Sequence, residues 1–118
     1  MCIRDRTETQ ADEKWFNRLN EIIQENISNT EFSVDQLTRS VNMSRTLLYA
    51  KVKAVTGLTP NEFIRLVRLR KAAEYLAGNE YKINEICYMV GFNSPSYFAK
   101  CFQNQFGVLP KDFINNTN

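Results

Sequence analysis

The sequence predicts an all-α fold: two helix-turn-helix lobes joined by a long central helix, about seven helices in all. Three observations predict it. Apolar residues recur at spacings of three and four through most of the 118 residues, which is the signature of helices buried on one side. Only four glycines and three prolines occur, which argues against a loop-rich fold. Most informative is an internal repeat, in which Ile83 to Pro110 restates Val34 to Pro60 at relaxed similarity.

The repeat sets the register of the elements. Val34, Leu37, Val41, Asn42 and Met43 align with Ile83, Ile86, Val90, Gly91 and Phe92 at an offset of 49. Asn93 is then inserted, and Ser44, Leu48, Val52, Gly57 and Pro60 align with Ser94, Phe98, Phe102, Gly107 and Pro110 at an offset of 50. Each copy reads as helix, tight turn, helix, glycine stop. Two helices meeting steeply need a residue of positive φ at the elbow, which costs least for Gly and next least for Asn; Gly91 and Asn42 stand there. Met43 and Phe92 plug the elbows, and Ser44 and Ser94 cap the second helices.

Taken in order, Met1 to Asp12 is polar without sustained periodicity and is expected to be a tail, flexible to about residue 14. Its opening, Met1 to Arg6, fits nothing that follows and reads as an expression or reading-frame remnant. From Trp15, the spacing of Phe16, Leu19, Ile22, Ile23 and Ile27 predicts an amphipathic helix. Ser28 to Glu31 makes a turn, and Ser33 with Gln36 reads as a capping box opening a short helix that buries Leu37 and Val41. Ser44 to Thr56 is the first candidate recognition helix. With Leu48, Val52 and Val55 inward, Thr46, Tyr49, Ala50 and Lys53 point outward.

Thr59, Pro60 and Glu62 open the next helix with cap, first-turn proline and capping-box glutamate in order. It runs to about Ala77, with Gly78 and Asn79 stopping it, so residues 60–78 link a first lobe (15–59) to a second (79–118). Its basic residues are Arg65, Arg68, Arg70 and Lys71; about half are expected to be a solvated flank and the rest to lie along phosphate. In the second candidate recognition helix Phe98 and Phe102 are buried, while Ser96, Ala99, Lys100 and Gln103 point outward. After Pro110 only a short terminal turn is expected, with Phe113 and Ile114 folding back as a plug.

Charge is unevenly placed. Residues 1–32 carry four basic and seven acidic residues, leaving the remainder with 11 basic and 6 acidic, an excess that fits a polyanion partner. There is no histidine, no glycine loop to cradle phosphate and no clustered carboxylates, so nothing assembles an enzyme site. No metal site or cofactor is expected. Cys2, Cys87 and Cys101 are odd in number and widely spaced; Cys87 and Cys101 read as core residues in a reducing cytosol. The longest apolar run, Ile86 to Val90, is too short to span a membrane. A duplicated helix-turn-helix is a means of placing two short helices in successive major grooves. The competing reading is a helical protein-interaction module without DNA affinity, distinguishable because phosphate neutralisation makes binding fall steeply with salt.

The ordered set Arg68, Leu69, Ala72, Leu76, Ile83, Ile86, Val90, Gly91, Phe92, Phe98, Phe102, Phe106, Gly107 and Pro110 closely resembles the DNA-binding domain of the AraC/XylS family of bacterial transcription regulators. The resemblance runs from about Phe32 to Phe113. It implies recognition helices entering adjacent major grooves on one face of promoter DNA. The family's base-reading positions fall on Arg45, Thr46, Tyr49 and Ala50 in the first lobe and on Pro95, Ser96, Ala99 and Lys100 in the second, with Lys53, Ser94 and Gln103 completing the expected DNA-binding set. Ala50 and Ala99 depart from the long polar residues common there and are suited to thymine methyls. Met43 to Lys53 and the preceding helix are most similar to output domains of Bacteroidetes hybrid two-component regulators. That implies an activator on the cytoplasmic side of the inner membrane, RNA polymerase as a candidate partner, and receiver and kinase domains that this chain does not contain.

Overall fold

The computed structural model describes the backbone of residues 6–117 and the side chains of residues 13–114. Seven helices and no strand occur among the described residues: α1 Arg6–Glu25, α2 Val34–Val41, α3 Arg45–Thr56, α4 Pro60–Gly78, α5 Ile83–Met89, α6 Pro95–Phe106 and α7 Pro110–Thr117. The all-α reading and the count of seven stand.

The core is divided in two. Leu19, Ile22, Ile23, Leu37, Leu48, Val52, Phe63, Ile64 and Val67 form one cluster, and Leu69, Ala72, Leu76, Ile86, Val90, Phe92, Phe98 and Phe102 form the other. The division falls within α4, between Val67 and Leu69, and Ile27 is a partly buried residue that packs against both clusters. The second cluster is aromatic: Phe98 lies 5.2 Å from Phe92 and 6.0 Å from Phe102, and Phe102 lies 4.6 Å from Phe106 and 5.5 Å from Phe113.

The repeat seen in the residues is also a repeat of hydrogen bonds. In the first elbow the Asn42 amide donates to Arg39 O and the Met43 amide to Thr38 O; in the second, Gly91 donates to Tyr88 O and Phe92 to Cys87 O. Both are the reversed-turn pattern that consumes the last free carbonyls of a helix. Asn42 and Gly91 take φ of 55° and 89° there. Ser44 and Ser94 then cap α3 and α6, their hydroxyls accepting from the amides of Leu47 and Tyr97. Gly57 and Gly107 end these helices at φ 78° and 82°, each donating back four residues at 2.8 Å. At α4 the Thr59 amide donates to Glu62 Oε1 at 2.9 Å and the Glu62 amide to Thr59 Oγ1 at 3.2 Å, the full reciprocal box.

Four expectations need correction. Helix α1 starts at Arg6, so residues 6–14 are helical rather than a tail, while Met1 to Asp5 lie outside the described residues. The stretch contains no Gly or Pro and several good helix formers, so a helix anchored from Trp15 onward extends backward without an apolar stripe. Ser33 is the N-cap of α2 but its side chain makes no capping bond, and Gln36 Oε1 is buried without a partner; α2 is held instead by burying Val34 and Leu37. Val55 is 36% exposed, whereas Leu48 and Val52 are fully buried. Its counterpart at offset 50 is Gln105, which is exposed, so this position lies beyond the edge of the core in both copies. Finally, the terminal turn is a helix, α7. It copies the first turns of α4, with Pro110, Phe113 and Ile114 standing where Pro60, Phe63 and Ile64 stand, and Phe113 and Ile114 do fold back onto the second core.

Candidate nucleic-acid interface

The elbows and caps position α3 and α6, and what each helix leaves uncovered is the candidate interface. On α3, Arg45, Thr46, Ala50 and Lys53 are exposed. Tyr49 is half-buried: it packs against the first core, and the Arg45 guanidinium lies 5.5 Å from its ring centre. Tyr49 therefore has structural support as well as an outward edge. Arg45 also pairs with Asp35 of α2. Both partners are more than half exposed, and an exposed pair is worth only about 0–1 kcal/mol, so Arg45 is oriented by Asp35 and Tyr49 without being committed to them.

On α6, Ser96, Lys100 and Gln103 are exposed, whereas Ser94, Pro95 and Ala99 are half-buried. The Ser94 hydroxyl already accepts the Tyr97 amide, which leaves its proton as the free half of the group. Beside this row runs a shallow groove lined by Ile83, Pro95, Ala99, Leu109, Pro110 and Lys111 among others. The two rows thus differ in chemistry. The first offers a guanidinium, a hydroxyl, a phenol edge and an ammonium; the second offers a largely apolar strip flanked by Lys100, Ser96 and Gln103.

The basic residues of α4 are not one set. Arg70 is exposed and Lys71 lies 3.7 Å from Glu74 and 5.5 Å over the Tyr75 ring. Arg65 donates weakly to Tyr97 Oη at 3.5 Å. Arg68 is turned inward: its Nη1 donates to Gly91 O at 3.1 Å and its Nη2 to Asn29 O at 2.9 Å. Burial pulls the Arg68 pKa below its ordinary value. Arg68 is thus removed from the residues available to phosphate.

The roles of Asp35 and Arg68 were missed from the sequence. Nothing marks Asp35, which is ten residues from Arg45 and on another helix. For Arg68 a signal existed: Ile64, Arg68, Ala72 and Leu76 recur every four residues, so a charge sits in the buried stripe of α4, and a charge there must find acceptors.

A family description for a helix-turn-helix domain matches residues 37–116. Among curated relatives, a segment of histidine kinase P4 of Formosa agariphila is 41% identical over 109 residues, covering 92% of this chain but 8% of the kinase. The transcriptional activator RhaS of Mannheimia succiniciproducens is 32% identical over 88 residues, covering 75% of this chain and 33% of that protein. The chain therefore spans well under two thirds of the length of these relatives. Among solved structures, the C-terminal domain of AraT, a response regulator from Geobacillus stearothermophilus, superposes with a TM-score of 0.77 at 27% identity, covering 85% of this chain and 83% of that one. With its two elbows, the capped helices α3 and α6 and a shared α4, the chain belongs to the AraC-type helix-turn-helix DNA-binding domains of transcription regulators.

Proposed function

We propose that this domain binds a specific site in double-stranded promoter DNA, with α3 and α6 in adjacent major grooves on one face of the duplex. The observation that carries this reading is the pair of equivalent elbows on either side of one continuous helix, α4, each followed by a helix with an outward row at the same place in its lobe. The body measures 44 × 34 × 21 Å, long enough for one face to span a helical turn of about 34–36 Å. In the first lobe, Arg45 and Thr46 read base edges, Tyr49 and Ala50 meet apolar base surface, and Lys53 neutralises phosphate. In the second, Pro95 and Ala99 lie against thymine methyls while Ser94, Ser96, Lys100 and Gln103 supply polar contacts.

The likeness to a histidine kinase segment and to a response-regulator C-terminal domain supports a place as output domain of a two-component system. The likeness to RhaS, a transcriptional activator, supports activation; RNA polymerase is the partner this reading assigns to the DNA-bound form. Such a domain acts in the cytoplasm; no helix among the described residues is long and apolar enough to cross a membrane. The test is selection from random duplexes at two salt concentrations, with sequencing of what is retained. Two enriched half-elements about one turn apart are expected. A single half-element means that one lobe alone specifies. Absence of salt-sensitive retention overturns DNA binding in favour of a protein-interaction module.

A further inference from the structure

Each lobe has its own hydrophobic core, and the two clusters have no buried residue in common. Among the described residues the seam is crossed by α4, the partly buried Ile27, a long hydrogen bond of 3.5 Å from Arg65 to Tyr97 Oη, and one buried polar assembly. Lobes that lack a large apolar interface swing relative to one another unless something else holds them, and a single connecting helix resists twisting but still bends along its length. The Arg68 side chain stands at the division, one residue after Val67 of the first core and one before Leu69 of the second. Its guanidinium reaches both ways, to Asn29 O in the turn after α1 and to Gly91 O in the elbow of the second lobe. Gly91 completes the arrangement: a Cβ there would overlap Ile27 O and sit 2.9 Å from Arg68 Cζ, so only glycine lets the elbow close against that turn. The planar fork of arginine suits two acceptors in different directions, whereas a lysine ammonium is a point donor on a flexible stem.

From this seam we infer that Arg68 is a positioning residue, a clamp that sets the angle and spacing between α3 and α6 and so the distance between half-sites the domain accepts. Without it each lobe keeps its own core and its own recognition row, but the two rows no longer hold one phase. An added base pair between half-elements rotates one relative to the other by about 35°. A rigid protein rejects that change and a hinged one tolerates it. The consequence for DNA rests on the proposed two-lobe binding mode; the consequence for the free protein does not.

Two measurements on Arg68→Met and Arg68→Lys test the inference. Residual dipolar couplings of the free full chain are expected to fit one alignment tensor across both lobes in the wild type. In the variants the lobes require two, with the amide dispersion of each lobe retained. Lysine, which keeps the charge and the stem, guards against loss of folding by the methionine variant. Affinities for the selected site and for versions with the spacer lengthened or shortened by one base pair form the second arm. The preference for the native spacer falls on the order of tenfold in the variants, a ratio that simple loss of folded protein leaves unchanged. A single tensor in both variants, or two tensors already in the wild type, overturns the clamp. Split tensors with no DNA binding by the wild type leave the clamp standing and remove the proposed function instead. Split tensors with an unchanged spacer preference overturn its role in site spacing.

Discussion

Gly91→Ala is the substitution whose effect is most directly worked from the structure, because two other glycines serve as internal controls. Gly57, Gly91 and Gly107 all have positive φ, at 78°, 89° and 82°. An L-residue in that region costs about 1–2 kcal/mol. At Gly57 and Gly107 nothing lies within 4 Å of an added Cβ, so Gly57→Ala and Gly107→Ala are expected to lose only that amount. At Gly91 the same Cβ meets Ile27 O and Arg68 Cζ. One of these is backbone of the turn after α1 and the other is a half-buried guanidinium held by two hydrogen bonds, so neither yields freely. Forcing an extra carbon into such a place adds about 1–3 kcal/mol, which brings Gly91→Ala to about 2–5 kcal/mol. Against a total stability of about 5–15 kcal/mol for a domain, that is a large fraction. Urea unfolding followed by far-ultraviolet circular dichroism measures all three variants under one protocol. If Gly91→Ala is no more destabilising than Gly57→Ala, the elbow does not press on the Ile27 turn and the close approach is refuted.

Three further outcomes are expected. Arg45→Ala loses about 1–3 kcal/mol of affinity on the selected site and relaxes preference at one base position; competition titrations on single-base variants of that site check it, and an equal loss on every sequence makes Arg45 a phosphate contact. Lys53→Ala weakens binding uniformly and reduces the slope of log affinity against log salt by about 1, so an unchanged slope removes Lys53 from the phosphate set. Hydrogen bonds from the Thr59 amide, then from its side chain, hold Glu62 below its ordinary pKa of 4.5. Its contribution to stability is therefore whole above the ordinary carboxylate range and is lost as pH falls through the lowered value. In Glu62→Gln, whose amide oxygen accepts the same capping bond, the loss of stability between about pH 5 and 2 is shallower; identical acid slopes in urea titrations contradict that assignment.

The local devices were legible from residues alone because each is local physics. Asn42 and Gly91 announce the elbows, Ser44 and Ser94 the caps, and Thr59 with Glu62 the start of α4. Misreadings arose where a local rule competed with packing. Ser33 and Gln36 have the spelling of a capping box, yet burial of Val34 and Leu37 is what holds α2. Val55 has the spacing of a core residue, but its side of the helix has turned past the edge of the core. The outward rows were also legible as faces, but not their condition: that Tyr49 leans on the core, that Arg45 is steered by Asp35, and that Ala99 is half-buried depend on neighbours from other helices.

What the sequence determined by itself was the existence, order and register of two equivalent helix-turn-helix units, because periodicity, capping and positive φ act within a few residues. What only the tertiary structure decided was how those units stand toward each other. That relation runs through Arg68, Asn29, Gly91 and Ile27, which meet across separations of 39 and 23 residues in two of the hydrogen bonds. Arg68 acts there on carbonyl groups that every residue carries, so its partners leave no mark in side-chain identity, and only the packing of the chain shows which carbonyls lie within reach.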